Sequence, residues 1–265
     1  MFRINKRPSL DDMLKLGKIH TLILKKLKDF IKVGKTPLDV ENYFLELAKR
    51  YNVSSACLGK KMPGTFAYPS NLCVAVNEQA LHVYATDKPT FKAYDIVTVD
   101  LVLVSQGIHT DAAFTVIVKP EEKDKKDVPN DLVIQRQKLI NVAYNALRAG
   151  IKQAKAGNHV GDIGYAIDKV VRQAGFSVLL DYGGHGIGYS MWEKPFVPNY
   201  GEKGLGPKLK QGMYIAIEPL VAVGEPVLTH LDDWKTKTKD NSDFVQVEST
   251  VMVGRSEPIL ITDIV

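Results

Sequence analysis

Four acidic residues sit inside apolar strands, two in each half of the chain, and any fold of this sequence has to accommodate them. The strands read IVTVDLVLV, IHTDAAFTVIV, MYIAIEPLVAV and DFVQVESTVMV, and their acids are Asp100, Asp111, Glu218 and Glu248. Side chains alternate faces along a strand. Val97, Val99 and Leu101 therefore share one face, and Thr98, Asp100 and Val102 the other. In the last strand Gln246, Glu248 and Thr250 oppose Val245, Val247 and Ser249. Carboxylates are seldom fully buried unless paired or bound to metal. Two of them about 4 Å apart repel by about 4 kcal/mol at an effective dielectric of about 20. The same strands carry no Lys or Arg. Two divalent cations would balance four carboxylates. Oxygen donors joined by one imidazole favour Mn, Fe(II), Co or Zn over a thiolate-type site. The competing reading leaves each acid solvated at a strand end, and the matched positions in the two halves argue against it.

The imidazole is His185, in the turn Asp181-Tyr-Gly-Gly-His-Gly-Ile-Gly188 between the two acid pairs. Its four glycines are expected to let backbone pass close to a bound group. The turn is neither GxGxxG nor a P-loop, so a nucleotide is not implied. Taken alone, His185 and His82, in VNEQALHVYAT, would pass as structural histidines.

The halves repeat faintly. Ser9 to Val33 has helical apolar spacing (Leu10, Met13, Leu14, Leu24, Leu27, Phe30, Ile31), with Ser9 as N-cap. After Gly34 a second helix starts at Thr36-Pro37 and runs to about Tyr51. Downstream, a long helix is expected from Asn130 to Ala154, a break at Gly157, and another helix from about Val160 to Ala174. Both breaks follow Gly-x4-Asp: Gly34 with Asp39, and Gly157 with Asp162. Asp39 precedes Asp100 by 61 residues, and Asp162 precedes Glu218 by 56. A duplicated α/β half is the expectation. PEEKDKKDVPND, near residues 119–131, reads as the solvated connection between halves, and WKTKTKDNSD as the link between the last two strands.

Composition narrows the class further. At 265 residues and 45% hydrophobic content the chain suits a globular protein with a sizeable core. No run of about 18 apolar residues is present and the N-terminus lacks a signal-peptide core, so neither a membrane span nor export is expected. Two cysteines, Cys57 and Cys73, make no disulfide framework and no CxxC pair, which fits the cytoplasm. The net charge of +5 is spread over scattered lysines, a solvated surface with at most a weak attraction to RNA. No specific nucleic acid is expected.

The ordered set Asp100, Asp111, His185 in GHGIG, Glu218 in AIEP and Glu248 in VQVES resembles the type I methionine aminopeptidases. The likeness runs from about residue 9 to residue 262. It implies the pita-bread fold, an α/β (α+β) class with a pseudo-two-fold, curved antiparallel sheet covered by helices. It also implies a single catalytic domain over 1–265, with pseudo-repeats at about 9–119 and 130–262. The activity implied is dinuclear-metal removal of initiator methionine from nascent proteins, in the cytoplasm, by a monomer that meets the ribosome surface. The resemblance makes Asp100 a ligand of one metal, Asp111 and Glu248 bridging ligands, and His185 and Glu218 ligands of the other. Glu218 would move the proton of the attacking water, and His82 would contact the substrate amine or scissile amide. Cys57, Tyr68, Cys73 and Trp234 would line the methionine pocket, where sulfur and aromatic surface suit a thioether.

Departures from the family pattern fall on the substrate side. Trp192, in Met-Trp-Glu-Lys-Pro, stands where the family has a histidine, and indole donates but cannot accept a hydrogen bond. His82 is followed by Val83-Tyr84-Ala85 instead of Gly-Ile-Pro, the Cys57–Cys73 segment is longer and includes KKMPGTF, and Ser249 replaces a common histidine. Two alternatives follow. One is a related metallopeptidase of altered specificity, such as Xaa-Pro cleavage, although the stretch before Asp100 leaves no room for the N-terminal domain usual there. The other is a binding module of low or no activity on the same fold, which would have little reason to keep five ligands.

Overall fold

A computed structural model describes residues 7–122 and 129–264. Helix α1 (Leu10–Phe30) begins where the Ser9 hydroxyl accepts from the Asp12 N–H, and two aspartates face the positive end of the helix dipole. A buried stripe recurs every third or fourth residue from Met13 to Leu27, apolar except at His20. Helix α2 (Pro37–Tyr51) follows Gly34, whose φ of +85° lies in the left-handed region. Thr36 and Asp39 cap it reciprocally: the Thr36 N–H donates to Asp39 Oδ2, and the Asp39 N–H to Thr36 Oγ1. Helices α3 (Asn130–Ile151) and α4 (Val160–Gln173) occupy the second half. The break before α4 repeats the earlier one, with Gly157 at φ +99° and the His159 N–H donating to Asp162 Oδ2.

The strands assemble mainly into one antiparallel sheet. Its path runs β1 (Ser54–Ser55), β3 (Ile96–Ser105), β4 (Ile108–Ile117), β13 (Glu248–Met252), β8 (Tyr214–Ile217), β6 (Gly183–Gly186), β7 (Glu193–Pro198). β2 (Cys73–Val76) adds to β3, and β14 (Ile259–Leu260) to β13. The seam between halves is the β4–β13 pairing. Helices cover one face. Val97, Val99, Leu101 and Leu103 pack with the apolar stripes of α1 and α2, and Ile215, Ile217 and Val251 with those of α3 and α4. Each buried aliphatic side chain there contributes about 1.5–3 kcal/mol. Arg136 of α3 clamps the halves: it donates through Nε and Nη2 to Asp243, and through Nη1 to the Tyr94 carbonyl of the first half.

Two expected strands are each broken in two. MYIAIEPLVAV stops at Glu218-Pro219 and resumes as β9 (Leu220–Ala222), because Pro219 has no N–H to continue the ladder. DFVQVESTVMV is β12 (Phe244–Gln246) followed by β13, interrupted at Val247, whose N–H donates to the Pro219 carbonyl. β12 and β9 join β5 (Ser177–Val178) in a second, three-stranded sheet. Both glutamates therefore sit where strands change sheets. The link WKTKTKDNSD is also more ordered than expected: Thr236–Thr238 form β11, paired with β10 (Leu228–His230), and Thr236 and Thr238 turn inward. Of the connection expected at 119–131, residues 123–128 lie outside the described residues. Among the described residues no helix is long and apolar enough to cross a membrane.

Candidate metal centre

Strand register brings the acids together. Cys73, Asp100, Ala113 and Glu248 stand opposite one another across β2, β3, β4 and β13, forming one transverse row on the sheet face away from the helices. Ala113, lacking bulk, leaves space between the two carboxylates. Asp111 lies two residues along β4 on the same face, opposite Val102. Its backbone is fixed to β13: Thr250 Oγ1 accepts from the Asp111 N–H at 2.8 Å and donates to the Asp111 carbonyl at 2.8 Å. Glu218 enters from the sheet switch and is held by Gln246, whose Nε2 donates to Glu218 Oε1 at 2.7 Å.

His185 arrives on β6. Its Nδ1 is 2.9 Å from the Gly186 carbonyl oxygen. A carbonyl only accepts, so the proton is on Nδ1 and Nε2 presents a lone pair. That Nε2 stands 3.5 Å from Asp111 Oδ2. Two glycines beside it are required by strand packing. A Cβ on Gly184 would lie 2.1 Å from the Ala216 carbonyl oxygen, and one on Gly186 would lie 2.4 Å from that of Lys194. They let β6 press against its neighbours.

Ligand atoms of Asp111, His185 and Glu248 lie within 4.8 Å of one another, as do those of Asp100, Glu218 and Glu248. Glu248 is common to both groups. Glu218 belongs to the group with Asp100, and Gln246 holds one of its oxygens. Asp100 Oδ1, Asp111 Oδ1 and Glu248 Oε1 are buried without a hydrogen-bond partner. Orphaned carboxylate oxygens facing an imidazole lone pair fit divalent cations. Burial pushes the carboxyl groups of Asp100, Glu218 and Glu248 well above the ordinary range. Asp111 adds to the rise at Asp100, Asp100 and Asp111 at Glu218, and Asp111, Glu218 and Asp100 at Glu248.

The centre forms the floor of a cavity of about 320 Å³. Of the residues expected at the substrate side, Cys57, Cys73, His82 and Trp192 line it. Tyr68 and Trp234 stand behind that wall, packed with Cys57, Val102 and Met191; their ring centroids are 5.1 Å apart. Burial pushes the Cys57 thiol up to about 12, with the Asp100 charge adding to the rise. Cys73 is raised by the same causes, so both sulfurs remain neutral. Burial holds His82 down at about 4, with His230 contributing, so its imidazole is uncharged near neutrality. His82 has φ +55° and stacks edge-on to Trp234 at 6.0 Å. Met62, Leu81, Val102, Tyr182, Gly183, Met191 and Phe196 complete the lining, and none of them was expected there. Leu81, Tyr182 and Met191 adjoin residues singled out in the sequence, Met62 lies in KKMPGTF and Val102 shares the face of Asp100; nothing local marks Phe196.

An antiparallel sheet backed by four helices, with a carboxylate–histidine cluster on its open face, defines a pita-bread metallopeptidase. Residues 11–255 match metallopeptidase family M24, and the chain belongs to that family, among its methionine aminopeptidases. It is 32% identical to the methionine aminopeptidase of Clostridium acetobutylicum, covering 99% of each chain. It is also 32% identical to that of Aquifex aeolicus, covering 96% of each. The structure of the Thermotoga maritima methionine aminopeptidase superposes with a TM-score of 0.87 at 34% identity, over 99% of this chain and 100% of that one. A prolidase from Pyrococcus horikoshii shares the fold alone, at TM-score 0.70 and 18% identity, with 97% of this chain and 63% of that one covered.

Proposed function

We propose that this chain removes the N-terminal methionine from nascent proteins. One observation carries the reading: five side chains that could hold metal converge on the floor of a cavity whose wall is sulfur and aromatic surface. The near-full-length likeness to methionine aminopeptidases supports it. Xaa-Pro cleavage is not favoured, because the prolidase likeness is one of fold.

Asp100, Asp111, His185, Glu218 and Glu248 would hold two divalent ions. The donor set suits Mn, Co, Fe(II) or Zn. When bound, such ions polarise the scissile carbonyl and acidify water. The methionine thioether packs against Cys57, Cys73 and Met191, backed by Tyr68 and Trp234. His82, neutral and set in the cavity wall, accepts from the substrate amine or donates to the scissile amide. Glu218, anchored at Oε1 by Gln246, offers Oε2 to the attacking water's proton and delivers it to the leaving nitrogen. Trp192 takes a histidine's place at the mouth and moves no proton.

Residues 9–119 and 130–262 are repeats of one half-domain, supported by the shared left-handed glycine and aspartate cap at Gly34/Asp39 and Gly157/Asp162. The enzyme acts in the cytoplasm, as a monomer, on chains emerging at the ribosome surface. Incubating a Met-Ala-Ser peptide with the protein and Mn²⁺, Co²⁺ or Fe²⁺ should release free methionine. A folded sample that releases none with any of these metals removes the proposal.

A further inference from the structure

The two main departures from the family pattern meet in space. The long segment after Cys57 folds back on itself: the Gly59 N–H donates to the Tyr68 carbonyl, and the Tyr68 N–H to the Lys60 carbonyl. Its far end is tied down where the Phe66 N–H donates to Asp233 Oδ2 and Trp234 Nε1 to the Phe66 carbonyl. This anchoring places the Lys60 ammonium 5.0 Å from the centre of the Trp192 ring. Among the described residues no carboxylate is within ion-pair distance of Lys60, whose ammonium lies over the indole and also acts on the His109 ring. Trp192 lines the cavity, yet 39% of it remains exposed at the mouth, beside Phe196 (50%) and Met62 (38%). With methionine in the sulfur-lined wall and the scissile bond over the carboxylates, the rest of the peptide must leave across this rim. Each residue advances the chain by about 3.3–3.6 Å, so the residues just beyond the scissile bond cross the rim that Trp192 and Lys60 share.

We infer that Trp192 and Lys60 form a subsite that reads the third residue of the substrate, favouring an acidic side chain over a basic one. This rests on the proposed aminopeptidase reading and adds a specificity determinant to it. The indole supplies an apolar platform for the side chain's stem, and the unpaired ammonium supplies the charge. An exposed ion pair of this kind is worth about two- to fivefold in kcat/KM.

Methionine release is measured from Met-Ala-Glu-Ser-amide, Met-Ala-Lys-Ser-amide and Met-Ala-Ser-Ser-amide, with amidated ends so that no terminal carboxylate competes. The wild type should prefer the Glu peptide over the Ser peptide by about two- to fivefold, and the preference should shrink at high salt. Lys60→Met, which keeps the apolar stem, should bring the Glu-to-Lys ratio toward one, and Lys60→Glu should invert it. Peptide binding to the metal-free protein, followed by indole fluorescence, should show the same change in ratio on Lys60→Met. Methionine release with equal ratios in wild type, or with a ratio unmoved by Lys60→Met, overturns the inference and leaves the aminopeptidase reading standing. No release from any peptide overturns that reading and this inference with it.

Discussion

Gln246 Nε2 donates to Glu218 Oε1 at 2.7 Å, across the point where two strands leave one sheet for another. The contact fixes one glutamate oxygen and leaves its partner for a proton or a cation. Gln246 also faces Asp100, whose carboxyl its hydrogen bond lowers against the larger upward push of burial. Replacing Gln246 with Ala frees Glu218 while leaving all five donors present. Loss of such a supporting contact costs about 10–100-fold in activity or metal affinity. Titration calorimetry of Mn²⁺ binding, beside kcat/KM, checks this; a variant indistinguishable from wild type in both would remove Gln246 from the site.

Gly184 gives a structural prediction. In Gly184→Ala the new methyl would lie 2.1 Å from a β8 carbonyl oxygen, and rigid backbone offers it no escape. The β6–β8 contact must open, at about 3 kcal/mol or more. The urea midpoint should fall, and His185 should move off Asp111, weakening metal binding beyond the loss in stability. An unchanged midpoint would mean that the strands are not pressed together here.

Metal and pH are linked through the buried carboxyls. Asp100, Glu218 and Glu248 hold protons above the ordinary carboxylate range when no cation is present. A raised folded value stabilises below the unfolded value and loses that contribution as pH rises through the folded one. The metal-stripped protein should therefore lose stability from these groups as pH climbs toward neutrality. Added Mn²⁺ should displace the protons, bind more weakly as pH falls, and at a hundredfold excess over its Kd raise Tm by about 5–10 °C. Calorimetry in buffers of different ionisation enthalpy reads the released protons; no release on binding contradicts the linkage.

His20 titrates in the opposite sense. It is fully buried in α1, with Nδ1 2.8 Å from Thr110 Oγ1, and burial pushes it down to about 3. The unfolded chain takes up a proton near pH 6.5, so the contribution is complete above that value. It is lost at about 1.4 kcal/mol per unit as pH falls toward 3. His20→Gln keeps a partner for Thr110 and should flatten the slope of stability between pH 6.5 and pH 4.5. Parallel slopes in the two proteins, measured by urea unfolding, would show that His20 is not the group responsible.

Much of this was legible in the sequence because strand alternation is a local rule. It put Asp100 on the opposite face from Val99 and Leu101, and Glu248 beside Gln246 and Thr250 rather than Ser249, as the structure has them. Capping was legible for the same reason: Thr36 and Asp39 are three residues apart and meet in the first helical turn. The strand breaks at Glu218-Pro219 and Val247 were partly written in Pro219, but their consequence depends on a second sheet that pairing alone creates.

The sequence by itself determined which side chains are acidic, which face of its strand each occupies, and where helices start, because these follow from neighbours within a few residues. Only the tertiary structure decided that Asp100 and Glu248, far apart along the chain, share one row with Ala113 between them. It alone also decided that Gly184 and Gly186 serve strand packing, and that Lys60 lies over Trp192. Register across a seam and the close approach of distant loops are set by the packing of whole elements, which no local pattern encodes.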